Sequence, residues 1–173
     1  MKQHSKDRLD MLYVESAGDI VKSWRDWHQG IETPEETSIT FSSQVFALAR
    51  EQGWSLLALS FFARRGSAGG DRQTAITRPR PFAGSGVFYY LSEGLNGLWL
   101  FWLVLMQRPR IVVISSGACL WVSLLPLRLL PVRVIVSMHN TPWPAGFYPQ
   151  SRLKRLLLWL DGLFFRHVAQ GAL

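Results

Sequence analysis

Two short polar clusters hold the side chains best suited to chemistry in this sequence, Ser115–Gly117 and His139–Thr141. An unperturbed imidazole changes charge near neutral pH, so a histidine such as His139 could donate a hydrogen bond to a sugar hydroxyl or a phosphate oxygen. It could equally well fix the loop that follows it. Asn140 could contact a ligand, or it could begin the turn that Pro142 requires. We therefore take His139 as the first candidate for a catalytic residue.

Each polar cluster follows a continuously apolar run, Ile111–Ile114 or Val132–Met138, which is typical of a parallel strand buried on both faces. The apolar segment 118–130 between them predicts the crossover helix that a parallel pair requires. Ligands of open α/β sheets bind beyond the carboxyl ends of the strands, so both clusters are expected at one binding edge. There Ser116 and Gly117 could offer backbone amides to a ligand, although Gly117 could simply allow a tight turn.

The remaining sequence predicts an α/β fold, a Rossmann-like open parallel sheet with helices on both faces, in one domain spanning residues 1–173. Further strands are predicted at Asp10–Glu15, Leu56–Phe61 and Gln73–Thr77, and helices at 43–52, 87–106 and 151–168. The polar segment Ser16–Thr40 is predicted to be an extended loop.

A second candidate site is the start of the helix after that loop. The amides and hydroxyls of Ser42 and Ser43 could bind a phosphate, or Ser42 could serve only as a helix cap. Gly18, the glycine nearest the first strand, is a further candidate for substrate binding. Neither a dinucleotide fingerprint nor a Walker loop is present, which disfavours an NAD enzyme or a P-loop ATPase. Glu15 and Asp19 are placed for general-base chemistry, but no partner residue supports that role.

Charge is distributed unevenly. Residues 1–71 hold 8 Lys/Arg and 10 Asp/Glu, whereas residues 72–173 hold 11 and 2, which predicts an anionic partner for the second half. A single cysteine, Cys119, indicates neither a disulfide framework nor a metal cluster. The N-terminus lacks the hydrophobic region of a secretory signal, and the apolar runs are too short to span a bilayer, so a cytoplasmic location is expected.

The segment Ser151–Val168 predicts a basic amphipathic helix. Its leucines and phenylalanines could pack on the sheet while its arginines are merely solvated. Alternatively, Arg152, Lys154 and Arg155 could bind an anionic membrane surface, which would make the protein peripheral on the inner face of the membrane. Nucleic-acid binding is not expected, because aromatic and arginine residues are not interleaved on a polar segment.

Four segments resemble the N-terminal half of GT-B glycosyltransferases of the family 4 type. They are SSQVFALAREQGWSLLALS, RPRIVVISSGA, LRLLPVRVIVSMHNTPWP and RLLLWLDGLFFRHV, which together cover most of residues 42–173. HNTPWP followed by LDGLFFR is the moderately specific part. The first strand matches less well, because the usual Gly-Gly after it is replaced by a long loop with Gly18.

The resemblance implies an acceptor-side domain of a retaining enzyme that transfers a sugar from a nucleotide-sugar to a glycan or lipid-linked acceptor. It implies no metal and no cofactor beyond the nucleotide-sugar co-substrate, and it places His139 beside the transferred sugar and leaving phosphate. The paired glutamates of the family's C-terminal, donor-binding domain have no counterpart here, so we expect little or no transfer by the 173-residue chain alone. The rival hypothesis is a non-catalytic module that binds a membrane surface or a partner through residues 151–168.

Overall fold

A computed structural model describes residues 8–16, 18–31, 42–70, 72–82, 85–138 and 148–172. These residues form a seven-stranded sheet with the order β3-β4-β2-β1-β5-β6-β7. The strands are β1 (Met11–Glu15), β2 (Leu56–Phe61), β3 (Gly66–Gly69), β4 (Gln73–Arg78), β5 (Ile111–Ser115), β6 (Arg133–Ser137) and β7 (Ala169–Ala172). The α-helices are α1 (Ile20–His28), α2 (Ser42–Glu51), α3 (Val87–Gln107) and α4 (Arg152–His167), and a 3₁₀ helix spans Trp121–Leu129.

All neighbouring strands are parallel except β3 and β4. The predicted α/β fold with a mainly parallel sheet is confirmed, and the expectation of a wholly parallel sheet is wrong at this edge. The connection between β3 and β4 is only three residues long, which permits a hairpin but no crossover. Gly69 makes this turn possible: its φ is +155°, and a Cβ there would lie 2.4 Å from the carbonyl oxygen of Gln73.

Side chains alternate along the strands and fill two separate cores. On the face that we call the front, Leu12 and Val14 of β1 pack with α3, the 3₁₀ helix and α4. On the opposite face, the back, Met11 and Tyr13 pack with α1 and α2. Helices therefore cover both faces, as a buried parallel sheet requires.

Three local predictions need correction. Residues 16–40 were expected to form a loop, but α1 lies within them, begun by the Asp19 cap and anchored by buried Ile20 and Val21. The crossover after β5 is a 3₁₀ helix rather than an α-helix, and Pro126, which lacks an amide hydrogen, lies inside it. Strands β3 and β7 were not predicted, because each has only four residues and neither has a β-branched residue.

Candidate functional site at the carboxyl edge

The sheet contains one topological switch point, between β1 and β5. The chain leaves β1 for α1 on the back, and it leaves β5 for the 3₁₀ helix on the front, although the two strands are direct neighbours. The two loops leave the carboxyl ends of these strands toward opposite faces, and we call the place where they part the crevice. In open α/β sheets this crevice is the usual ligand site.

A buried polar cluster lies directly below the crevice. The hydroxyl of Tyr13 donates a short hydrogen bond to Oε2 of Glu15, and the hydroxyl of Ser115 donates to the same oxygen at 3.3 Å. The amide of Ser16 donates to Oε1 of Glu15 at 3.0 Å. Burial and the adjacent Glu15 carboxylate raise the pKa of Tyr13. Glu15 thus accepts from Tyr13 and Ser16 of its own segment and from Ser115 of β5, and this arrangement does not favour a general-base role.

Arg80 joins the two loops of the switch point. Its Nη2 donates to the carbonyl oxygens of Ser16 and Gly117, each at 3.3 Å, while its Nη1 forms a short ion pair with Glu93 of α3. The guanidinium carbon lies 5.8 Å from the ring centroid of Tyr89. With 29% of its side chain exposed, Arg80 places a positive charge at the mouth of the crevice.

Glu93 is the buried partner in this ion pair, with 2% of its side chain exposed. Burial raises the pKa of Glu93 to about 7, and the nearby Arg80 opposes that rise. Burial also raises the pKa of the Cys119 thiol, which disfavours a thiolate nucleophile at this position. Sequence reasoning missed both Arg80 and Glu93. Glu93 is the one charged residue of α3, and that exception could have identified it.

The predicted residues around β5 have structural roles in this conformation. The amide of Ser116 donates to the carbonyl oxygen of Ser137 at 2.9 Å, so it is not available to a ligand. Gly117 has a φ of +81° and its carbonyl accepts from Arg80, which explains the glycine through the turn. Both residues nevertheless lie in the loop that follows β5.

The predicted residues on the other side of the crevice are Gly18, Ser42 and Ser43. Gly18 has a φ of +95°, and its carbonyl accepts a 2.7 Å hydrogen bond from the hydroxyl of Ser60 at the end of β2. Four residues separate the end of α2 from the start of β2. Since α2 is about 15 Å long and returns to β2, its first turn lies toward the carboxyl edge. Ser42 is buried and Ser43 half-buried at that start.

The principal candidate lies outside the described residues, as does Asn140. His139 follows β6 by two positions in the sequence, and β6 ends at Ser137. Ser137 pairs with Ser115 in the sheet register, and its buried hydroxyl has no hydrogen-bond partner in the described part of the chain. The chain therefore leaves β6 at the same edge as the crevice.

Arg152, Lys154 and Arg155 are exposed in the first turn of α4. Helix α4 leads directly into β7, which is parallel to β6, so its first turn lies toward the carboxyl edge. The guanidinium carbon of Arg155 lies 5.7 Å from the ring centroid of Tyr148. These three cations add to the positive charge on the side of the sheet that carries Arg80.

Across the described ranges, no group of three or more His, Cys, Asp or Glu residues is arranged to hold a metal ion. None of the helices in those ranges has both the length and the apolarity needed to cross a membrane.

Comparisons of the chain with protein families, with curated proteins and with solved structures gave no match. The resemblance to glycosyltransferases therefore depends on the four sequence segments alone, and the fold shown is a mainly parallel α/β sheet.

Proposed function

We propose that this chain is the acceptor-side half of a retaining glycosyltransferase that transfers a sugar from a nucleotide-sugar to a glycan or lipid-linked acceptor. The observation that carries the proposal is the crevice between β1 and β5, where Arg80 contacts both loops. A cation at this position is suited to the anionic groups of a nucleotide-sugar or of a phosphorylated acceptor.

In this proposal His139 contacts the transferred sugar and the leaving phosphate, as the resemblance implies. Arg80 is a positioning residue, because its bonds to the backbone hold the loops after β1 and β5 at a fixed separation. The buried carboxylate of Glu93 orients the guanidinium of Arg80 through their ion pair. The start of α2, with Ser42 and Ser43, contributes the positive end of a helix dipole from the back side.

The test is transfer from labelled nucleotide-sugars to extracted membrane lipids and glycans, with the natural gene product that contains this sequence. Replacing His139 with Ala should lower kcat by about a hundredfold or more, within the range of a lost acid-base or electrostatic contact. His167→Ala is the matched control, because His167 is exposed at the end of α4 and far along the helix from the carboxyl edge.

Arg80→Lys should keep the charge yet lower kcat by about tenfold, because a lysine cannot bridge two carbonyls and a carboxylate at once. The proposal fails if no nucleotide-sugar labels any acceptor, or if His139→Ala is as active as wild type. The isolated 173-residue chain should show little or no transfer in the same assay.

A second candidate function, a non-catalytic membrane-surface module, is favoured by the exposure of α4. Leu153, Leu156 and Trp159 are 50–61% exposed, beside the exposed cations of the first turn, while Phe164 at the other end is fully buried. The first half of the helix thus presents apolar and basic side chains together, which suits an anionic bilayer interface.

Flotation with vesicles of anionic lipid tests this candidate. Changing Arg152, Lys154 and Arg155 together to Glu should abolish binding, whereas changing Arg25, Arg50 and Arg133 to Glu removes the same charge elsewhere and should weaken it less. Equal loss in the two triple variants would indicate binding by net charge alone and would contradict a role for α4.

A further inference from the structure

An open groove lies on the front of the sheet, between α3 and the β3–β4 edge. Its volume is about 630 Å³, which is within the usual size of a small-molecule site. The floor is apolar and is formed by Leu57 and Leu59 of β2 and Ile76 of β4. Trp99 and Leu103 of α3 form one wall. This groove is distinct from the crevice, because its floor lies on the face of β2 and β4, whereas the crevice lies at the ends of β1 and β5.

Two arginines line the groove, and neither forms an ion pair with a carboxylate in the described part of the chain. The guanidinium carbon of Arg78 lies 4.0 Å from the ring centroid of Trp99, which holds it flat against the wall. Arg65 immediately precedes β3, the neighbouring strand, and also lines the groove; burial together with the positive charge of Arg65 lowers the pKa of Arg78. Two like charges that face a shared space without an anion between them favour an anionic ligand.

The wall of this groove continues into an exposed apolar stripe. Leu95, Trp102 and Met106 lie at helical spacing from Trp99, and they are 38%, 57% and 62% exposed. The apolar surface therefore extends from the groove floor, over Trp99, onto the outside of α3. A ligand with an apolar chain can follow this surface while its anionic end remains between the arginines.

We infer that the groove binds an amphiphilic phosphate, with its apolar chain on Leu57, Ile76 and Trp99 and its phosphate between Arg65 and Arg78. Arginine is suited to this role because its planar fork donates two parallel hydrogen bonds to a phosphate. The inference does not depend on sugar transfer and holds whether or not the crevice is an active site.

The test uses decyl phosphate below its critical micelle concentration and isothermal titration calorimetry with the full chain. Wild type should bind decyl phosphate, and Arg78→Gln and Arg65→Gln should each raise Kd by about tenfold, the effect of one lost charge-assisted contact. Arg64→Gln is the matched control, since Arg64 is an exposed neighbour that does not line the groove. Its Kd should stay within about twofold of wild type.

Two further probes identify which part of the ligand is recognised. Decanol, which has the chain without the charge, and inorganic phosphate, which has the charge without the chain, should each bind at least about tenfold more weakly than decyl phosphate. Equal binding of decanol would overturn the role of the arginines, and equal binding of inorganic phosphate would overturn the role of the apolar floor. An unchanged Kd in Arg65→Gln, whose exposed side chain is not needed for folding, would overturn the site itself.

Discussion

The two faces of the sheet have similar buried cores, but the helices that cover them differ in their outer surfaces. Both inner surfaces are closely packed, and each helix layer contributes a fully buried phenylalanine, Phe46 on the back and Phe164 on the front. The outer surfaces differ: α3 exposes eight large hydrophobic side chains and α4 exposes three, whereas Leu48 is the one exposed on α1 and α2. An exposed apolar surface of this extent on one side indicates a surface used for binding.

Charge separates the two faces in the same way. The chain from residue 72 onward contains two carboxylates, Glu93 and Asp161, and Glu93 is buried while Asp161 is half-buried. Most basic side chains in this part, including Arg152 and Arg155, are exposed, while Arg78 and Arg80 are half-buried. Within the described residues, the helices of the front thus combine apolar and positive surface without an exposed carboxylate, which is a combination suited to an anionic amphiphile or a membrane.

The largest expected effect is on the free energy of unfolding, and it tests whether the cores on the two faces are packed equally well. Phe46→Ala and Phe164→Ala should each lower the free energy of unfolding by about 3–5 kcal/mol, because each leaves a cavity in a closely packed core. Phe164 stacks on Trp121 with ring centroids 5.1 Å apart, and Phe46 lies 5.4 Å from Trp27. Chemical denaturation measures both losses.

A loss below about 1 kcal/mol for Phe164→Ala alone would show that α4 packs on the sheet without being part of the cooperative fold. Phe82→Ala is the control for both, because Phe82 is an exposed phenylalanine and its removal should cost little.

Strong sequence patterns predicted the central strands and α4. The patterns in α1, β3 and β7 are weaker, and these elements were not predicted. Residues 111–114 and 56–61 are apolar and β-branched or leucine-rich, so their strands followed from local sequence. Helix α1 was not predicted because polar residues separate its apolar ones. Ile20, Val21, Trp24 and Trp27 nevertheless repeat at helical spacing after the Asp19 cap.

The crevice itself could be predicted only in part. Parallel pairing predicts that the carboxyl ends of the strands lie at one edge of the sheet. The pairing of β1 with β5, however, joins residues about one hundred positions apart, and no local sequence pattern indicates it. Arg80 lies in a Gly/Arg/Pro-rich connection whose composition says nothing about its partners. Its contacts with Ser16, Glu93 and Gly117 come from three separate parts of the chain.

The next effect tests whether the front face contains a buried group that titrates. The pKa of Glu93 in the folded protein is about 7, above its ordinary value of 4.5, so the folded state binds more protons than the unfolded state between these values. The free energy of unfolding should therefore fall as pH rises from 4.5 to about 7, by roughly 2 kcal/mol.

Denaturation curves across this pH range, for wild type and Glu93→Gln, measure the contribution. The variant should lose most of the slope between pH 6 and 7. Asp161→Asn is the matched control: burial raises the pKa of Asp161 to about 6, so this variant should flatten the profile only below that pH. Parallel profiles for wild type and Glu93→Gln would contradict the raised pKa of Glu93.

The smallest effect distinguishes how the helices of the two faces begin. Asp19 caps α1 on the back, where its Oδ1 accepts from the amides of Val21 and Lys22, both at 3.1 Å. Ser151 begins α4 on the front, and its side chain makes no capping hydrogen bond. Asp19→Ala should therefore lower the free energy of unfolding by about 1 kcal/mol, and Ser151→Ala by less than about 0.3 kcal/mol.

Asp19→Asn separates the two contributions of this cap, because it retains the hydrogen-bond acceptor but removes the negative charge that favours a helix start. It should cost about half as much as Asp19→Ala. Thermal unfolding of the three variants in parallel measures the differences. If Ser151→Ala lowered the free energy of unfolding as much as Asp19→Ala, the starts of α4 and α1 would be equally stabilised by their first residues. The difference between the two faces would then be confined to their outer surfaces and would not include the helix ends.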